Sequence, residues 1–157
     1  MESSTQLAHR FRALFLNGKW IANTNYKELL SDVNWQQANQ KVRSLNTIEI
    51  LTFHINYYLA GVLQVFEGGT LDIRDKYSFD APEINSKEDW DSLKSKLLKN
   101  AEIFADYIES MSEDQLESTF VDEKFGSYRR NIEGLIEHGY YHFGQLSLIK
   151  KMVNEIK

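Results

Sequence analysis

The sequence predicts an all-α fold, a four-helix bundle, and three observations carry that expectation. Only one proline, Pro82, interrupts the 157 residues, so the strongest helix breaker is nearly absent. Four long segments place apolar residues three or four positions apart, the period of a helix and not of a strand. Residues suited to capping helix N-termini stand at the heads of two of these segments. The chain shows no repeat of the kind that builds solenoids and no low-complexity tract.

The first helix is expected from about Thr5 to Asn17, with Leu7, Phe11 and Leu14 on one face and Gly18 as its stop. Gly18–Asn25 reads as a connector carrying Trp20. Tyr26–Val42 reads as short helical pieces that pack Leu29, Leu30, Val33 and Trp35 on the bundle. The second long helix opens at Asn46, which can cap free N–H groups while Glu49 reaches back. It runs to about Phe66, before Gly68-Gly69, and spans roughly 31 Å at ~1.5 Å per residue. The third opens at Ser86 with Asp89 in the same pattern, carries the stripe Trp90, Leu93, Leu97, Ala101, Phe104 and Ile108, and ends at Met111-Ser112. The fourth starts near Ser127 and continues to about Val153, burying Ile132, Leu135, Ile136, Leu146, Ile149 and Val153. Its interior glycines, Gly134, Gly139 and Gly144, each cost about 0.5–1 kcal/mol relative to alanine, which points to close approach of another helix or a ligand.

One connection is unusual. About 20 residues, Glu67–Asn85, join the second and third helices, more than an antiparallel turn needs. Fully extended they reach roughly 66 Å, so the two helices can run parallel with a crossover between them. Within it, Leu71–Pro82 mixes charges with Tyr77 and Phe79 and is expected to fold onto the bundle, as a lid or a dimer contact.

Composition removes several function classes. Lys and Arg number 18 against 23 Asp and Glu, for a net charge of −5, and a general nucleic-acid binder needs the opposite balance. The absence of cysteine excludes disulfides, thiolate zinc sites, Fe–S clusters and a cysteine nucleophile. With a polar Met1–Ser4 and no apolar run of membrane-spanning length, a single soluble domain over residues 1–157, cytoplasmic and without a membrane or nucleic-acid partner, is the expectation.

Four histidines remain: His9, His54, His138 and His142. His138 and His142 lie four apart, so both rings leave the fourth helix on one face and can reach one metal ion. His54 lies deep in the second helix among Leu51, Phe53, Ile55, Tyr57 and Tyr58, where an imidazolium is costly. A core histidine with a single buried partner also satisfies that setting. If the two helices face each other, however, three neutral nitrogens meet. Three protein ligands plus solvent is the arrangement of an open, catalytic metal site, and four ligands that of a closed structural one. No His-Glu-x-x-His and no Glu-x-x-His occurs, against zincin and di-iron carboxylate sites. His9, beside Arg10 and off the apolar stripe, reads as a surface residue.

A histidine following Asn-Thr-Ile-Glu-Ile-Leu (Asn46–His54) and the late segment RNIEGLIEHGYYHFGQL (Arg130–Leu146) resemble the DinB/YfiT-like metalloenzyme superfamily, over nearly the whole chain. The resemblance implies a bundle of down-up-up-down topology, in agreement with the long crossover. It implies a divalent metal on His54, His138 and His142, with zinc or nickel foremost and manganese or iron as further options. It also implies a homodimer and thiol chemistry of the kind catalysed by bacillithiol S-transferases and a mycothiol-dependent isomerase. The His-x-x-x-His-x-Glu pattern of the sulfoxide-synthase branch is broken here by Gly144, which removes that iron and oxygen chemistry.

Three neutral imidazoles leave a divalent ion its full charge, enough to acidify a bound water or thiol. The reactions that follow are S-transfer from a low-molecular-weight thiol to a small electrophile, or hydrolysis. Gln145, Asn131 and Tyr58 are the candidates to support the ligands, the first two because each lies seven residues from His138. Tyr57 reads as core, Glu137 as a salt-bridge partner, and Arg129, Arg130 and Arg74 as cations able to attract an anionic thiol or simply to face water. Two other functions stay open: a non-catalytic metal-binding or stress-response bundle, and a metal-free dimerisation module.

Overall fold

The computed structural model describes residues 1–156 and is all-helical, with seven α-helices packed together and no strand among the described residues. These are α1 (Ser4–Arg12), α2 (Tyr26–Ser31), α3 (Trp35–Asn39), α4 (Ile48–Phe66), α5 (Lys87–Ser110), α6 (Glu113–Glu117) and α7 (Tyr128–Glu155). No helix is long and apolar enough to cross a membrane.

The caps explain where the long helices begin. Ser3 and Gln6 form a reciprocal capping box at α1. The chain then widens into a π-helical turn over Ala13–Asn17, closed by Gly18 N–H on Ala13 O at 3.2 Å. That turn accounts for the reach of the first helix to Asn17. The cap of α4 is Thr47 and not Asn46: the Thr47 hydroxyl accepts from the Ile50 amide at 3.1 Å, which places Glu49 at the second helical position instead of the third. Glu49 is buried and its Oε1 has no hydrogen-bond partner; burial raises its carboxyl pKa, with neighbouring Glu83 adding to the effect. At α5, Ser86 caps as expected, accepting from the Asp89 amide, but Asp89 reaches the Asn85 amide and not that of Ser86. Ser127 caps α7.

One core unites these helices. The whole α5 stripe from Trp90 to Ile108 is buried against Leu7, Phe11 and Leu14 of the first helical segment and Leu51, Ile55 and Leu59 of α4. Trp90 Nε1–H donates to Val33 O at 2.7 Å, and the buried Tyr26 hydroxyl to Gly139 O at 2.5 Å, so both aromatic polar atoms are satisfied. Trp35 is only partly buried.

Paired contacts give the helix directions. Asn56 of α4 meets Asn100 of α5, and Phe66 meets Phe104 and Tyr107, so these two helices run the same way. Ser4 meets Glu109 while Phe11 meets Phe104, so α1 runs against α5. His54 meets His138 and Phe66 meets Tyr128, so α7 runs against α4.

The crossover between α4 and α5 lies on the bundle, as its aromatic content suggested. Ile73 covers Gly61, where a Cβ would stand 2.3 Å from Ile73 Cγ2. Tyr57, expected in the core, is instead a latch: its hydroxyl accepts from the Arg74 amide at 2.8 Å and donates to the Arg74 carbonyl at 2.9 Å. Arg129 also departs from expectation. It is buried and binds Glu113, Glu117 and the carbonyl of Glu2, so it ties α6 and the N-terminus to α7. Nothing in the periodicity of the sequence announces α6, which is a single turn capped by Ser112.

The three glycines of α7 separate into different cases. A Cβ at Gly139 would stand 2.6 Å from Leu14 Cδ2 and 3.2 Å from Phe15 Cζ, so this glycine allows helix contact. Gly144 faces open space and needs no close approach. Gly134 has only Arg130 Nη1, 3.9 Å away, and opens onto a cleft.

Candidate metal centre

Because α4 and α7 face each other in opposite directions, residues near their middles meet. His54 projects from α4 toward His138 and His142, which lie one turn apart on α7. The His54 and His138 Nε2 atoms are 3.1 Å apart, and one ring nitrogen from each of the three histidines lies within 4.8 Å of the others. Among the described residues no further histidine or carboxylate joins the group. His9, as expected, is exposed on α1 and does not belong to the group.

Hydrogen bonds select which nitrogen faces inward. His54 Nδ1 is 3.0 Å from the Ser78 carbonyl, an acceptor only, so Nδ1 carries the proton and Nε2 of the neutral ring is bare. His142 Nδ1 is 2.7 Å from Gln145 Oε1, and the same argument leaves its Nε2 bare. Both arrangements match the usual outer support of metal-binding histidines, in which the far ring nitrogen donates to a fixed oxygen.

Electrostatics keeps the rings neutral. Burial first, and then the positive charges that His142 and His54 would present, together push the His138 pKa down to about 4. His54 is lowered chiefly by burial, opposed by its bond to Ser78, and then by His142. His142 is lowered by burial and partly restored by Gln145. These rings therefore present lone pairs at neutral pH, the form a metal requires.

The spacing also fits an ion. Two nitrogens each about 2.0–2.1 Å from one tetrahedral cation stand roughly 3.3–3.4 Å apart, and 3.1 Å is near that separation. Without an ion, a proton on His138 Nε2 can be donated to the bare Nε2 of His54, which leaves His142 Nε2 outside that pair. A divalent cation satisfies all three.

The supporting residues named from the sequence are placed as follows. Gln145 serves His142, three residues away, and not His138. Asn131 serves neither: its Nδ2 donates to the Phe125 and Ser127 carbonyls at 2.9 and 2.8 Å, fastening the entry of α7. Tyr58 stands edge-on to both His54 and His138, with ring centroids 5.2 Å from each, and donates to Asp75 at 2.8 Å. Glu137 pairs with Arg130 at the surface, as expected.

Two contributors were not found from the sequence, Ser78 and Phe79. Phe79 stacks on His54 with centroids 3.9 Å apart and planes 4° from parallel, and Ser78 is buried with its carbonyl on the ring. The only hint was the aromatic content of a charged loop, and a backbone carbonyl leaves no trace in residue identity.

The histidines open onto a cleft of about 1160 Å³ between α4, α7 and the crossover. Val62 and Arg130 also line it, as do Phe120 and Lys124 of the connection between α6 and α7. No family model matches this chain, and neither curated proteins nor solved structures include a significant match to it.

Proposed function

We propose that this protein is a divalent-metal-dependent enzyme of the DinB-like type, with His54, His138 and His142 holding the metal and the adjoining cleft receiving a small substrate. The observation that carries this reading is the convergence of three neutral imidazoles, two with the far nitrogen anchored on oxygen, at the wall of an open cleft. The parallel α4–α5 pair, the long crossover and the opposed α1–α5 and α4–α7 pairs support a down-up-up-down bundle. Zinc or nickel suits three imidazoles best, with manganese or iron as alternatives.

A divalent ion in this setting supplies Lewis acidity, lowering the pKa of a thiol or water that it binds. The chain's own groups do the rest. Gln145 and Ser78 fix the orientation of two rings, while Phe79 and Tyr58 wall the site and restrict water. Since the protein has no cysteine, a thiol nucleophile must come from a low-molecular-weight cosubstrate, with a small electrophile as its partner. Hydrolysis is the version in which water takes the thiol's place. A homodimer, and action without nucleic acid or membrane, belong to the same proposal.

The test starts with metal content of protein purified without a histidine tag, in wild type and His54→Ala. About one divalent ion per chain in the wild type and none in a variant of unchanged helical circular dichroism supports the reading. Full occupancy in the variant refutes the ligand set. Thiol-dependent turnover of a chloronitrobenzene by the loaded wild type then separates an enzyme from a bundle that only stores metal.

A further inference from the structure

We propose that the cleft is built for an anionic amphiphile, a molecule whose reacting group lies at the histidines, whose apolar body crosses Gly134, and whose acidic end pairs with Arg130 and Lys124. This deepens the metal-enzyme reading and rests on it for the placement of the reacting group.

The first observation is the length and direction of the cleft. Arg130, Gly134 and His138 follow one another at intervals of four along α7 and all line it. Eight residues at 1.5 Å each put the Arg130 position about 12 Å along the helix from His138. On the antiparallel α4, Val62 lies the same number of residues beyond His54 and lines the same far end. Both helices thus give one track, with the imidazoles at one point and the cation a fixed distance away.

The second observation is the lining. The apolar lining of the cleft includes Val62, Leu71, Ile73, Phe120 and Leu135, which suit a hydrocarbon or aromatic body. The charges are three cations, Arg74, Lys124 and Arg130, against one carboxylate, Asp75, which already accepts from Tyr58. A chain with net charge −5 therefore presents a cationic cleft. Arg130 holds Glu137 at 3.3 Å with both side chains more than half exposed, an ion pair of the weak surface type that a ligand can replace. Lys124 lies over the Phe125 ring.

The third observation is Gly134 itself. Its backbone is helical and needs no special φ, and no neighbouring atom would meet a Cβ closer than 3.9 Å. Packing and conformation give no reason for glycine in the middle of a helix, where it is costly. Gly134 differs from the equally open Gly144 in lining the cleft, where the missing side chain leaves clearance for a ligand lying on the helix. A body spanning this track has roughly eight to ten carbon–carbon bonds of ~1.5 Å in zigzag.

The experiment titrates chelator-stripped and metal-loaded full-length protein with hexanoate, octanoate, decanoate and octylamine, followed by calorimetry and by the Gly134 amide resonance. Affinity should rise from hexanoate to decanoate, with octylamine about ten-fold weaker than octanoate, as expected for one charge-assisted contact. Arg130→Glu should lower decanoate affinity by about the same factor without changing metal content. Gly134→Leu should remove decanoate binding while helical circular dichroism is kept. Equal binding of amine and carboxylate, an unperturbed Gly134 amide, or indifference to Arg130→Glu overturns the inference. If metal is retained under those outcomes, the metal-enzyme reading still stands. If carboxylates bind as expected and no metal is ever retained, the metal reading fails and the anionic cleft survives it.

Discussion

Replacing His138 in the metal-free protein should flatten the acid side of its stability profile. The His138 pKa is about 4 in the folded chain against 6.5 for an unperturbed histidine, so on acidification the unfolded chain takes up the proton first. Its contribution is fully present above about pH 6.5 and is lost progressively as pH falls toward 4. At 1.36 kcal/mol per pH unit, the whole gap would be worth about 3.4 kcal/mol. The ring is only part-buried and borders the cleft, so solvent screening reduces this to roughly half. Between pH 7 and pH 5 the expected share is then about 1 kcal/mol. Urea unfolding of chelator-treated wild type and His138→Gln at those two pH values measures it. Because His54 and His142 titrate in both proteins, the difference between the two losses isolates His138, apart from the relief of repulsion on its neighbours. Equal losses would mean that His138 is not held neutral by its surroundings, and the convergence of three neutral rings would no longer describe this site.

Gln145→Leu should lower metal affinity about 10- to 100-fold while leaving stoichiometry at saturation unchanged, because His142 Nδ1 loses its acceptor; competition with a chromophoric chelator reads this directly, and an unchanged affinity would remove Gln145 from the centre. The glycines of α7 should respond to alanine with opposite signs. Gly134→Ala should stabilise by about 0.5–1 kcal/mol, whereas Gly139→Ala should destabilise by about 1–3 kcal/mol as its Cβ meets Leu14 and Phe15. Thermal unfolding of the two variants side by side checks the pair.

Much of the fold was legible because helical periodicity is a local signal. The α5 stripe and the α7 core positions follow from spacing alone, although Leu135 is only partly buried because it borders the cleft. The cap of α4 misled by one residue, since Asn46 and Thr47 are both competent caps and only tertiary packing decides between them. Arg129 misled for a related reason. A basic residue on a polar face ordinarily meets water, but α6, which has no periodic signature, folds over it with Glu113 and Glu117. The histidines were legible as a set because two share a helix face and the third sits in an apolar run. Their outer supports were only half legible. Gln145 was picked for its distance from His138, yet the bond it makes is to the nearer His142, and the Ser78 carbonyl belongs to a loop whose path no residue pattern specifies.

That loop ties the topology to the site. Since α4 and α5 run in the same direction, the chain leaving α4 must travel back along the bundle before α5 can begin, and its route lies over α4 beside α7. Tyr57 grips Arg74 through the backbone and Tyr58 grips Asp75, both within four residues of His54. These latches bring Ser78 and Phe79 onto the His54 ring one helical turn below them. A short antiparallel turn at the end of α4 could join two helices with fewer residues, but it would leave His54 Nδ1 without its carbonyl and its face without a stacking partner. The crossover is therefore part of the candidate metal centre itself, and the parallel helix pair is what supplies a segment long enough to build it.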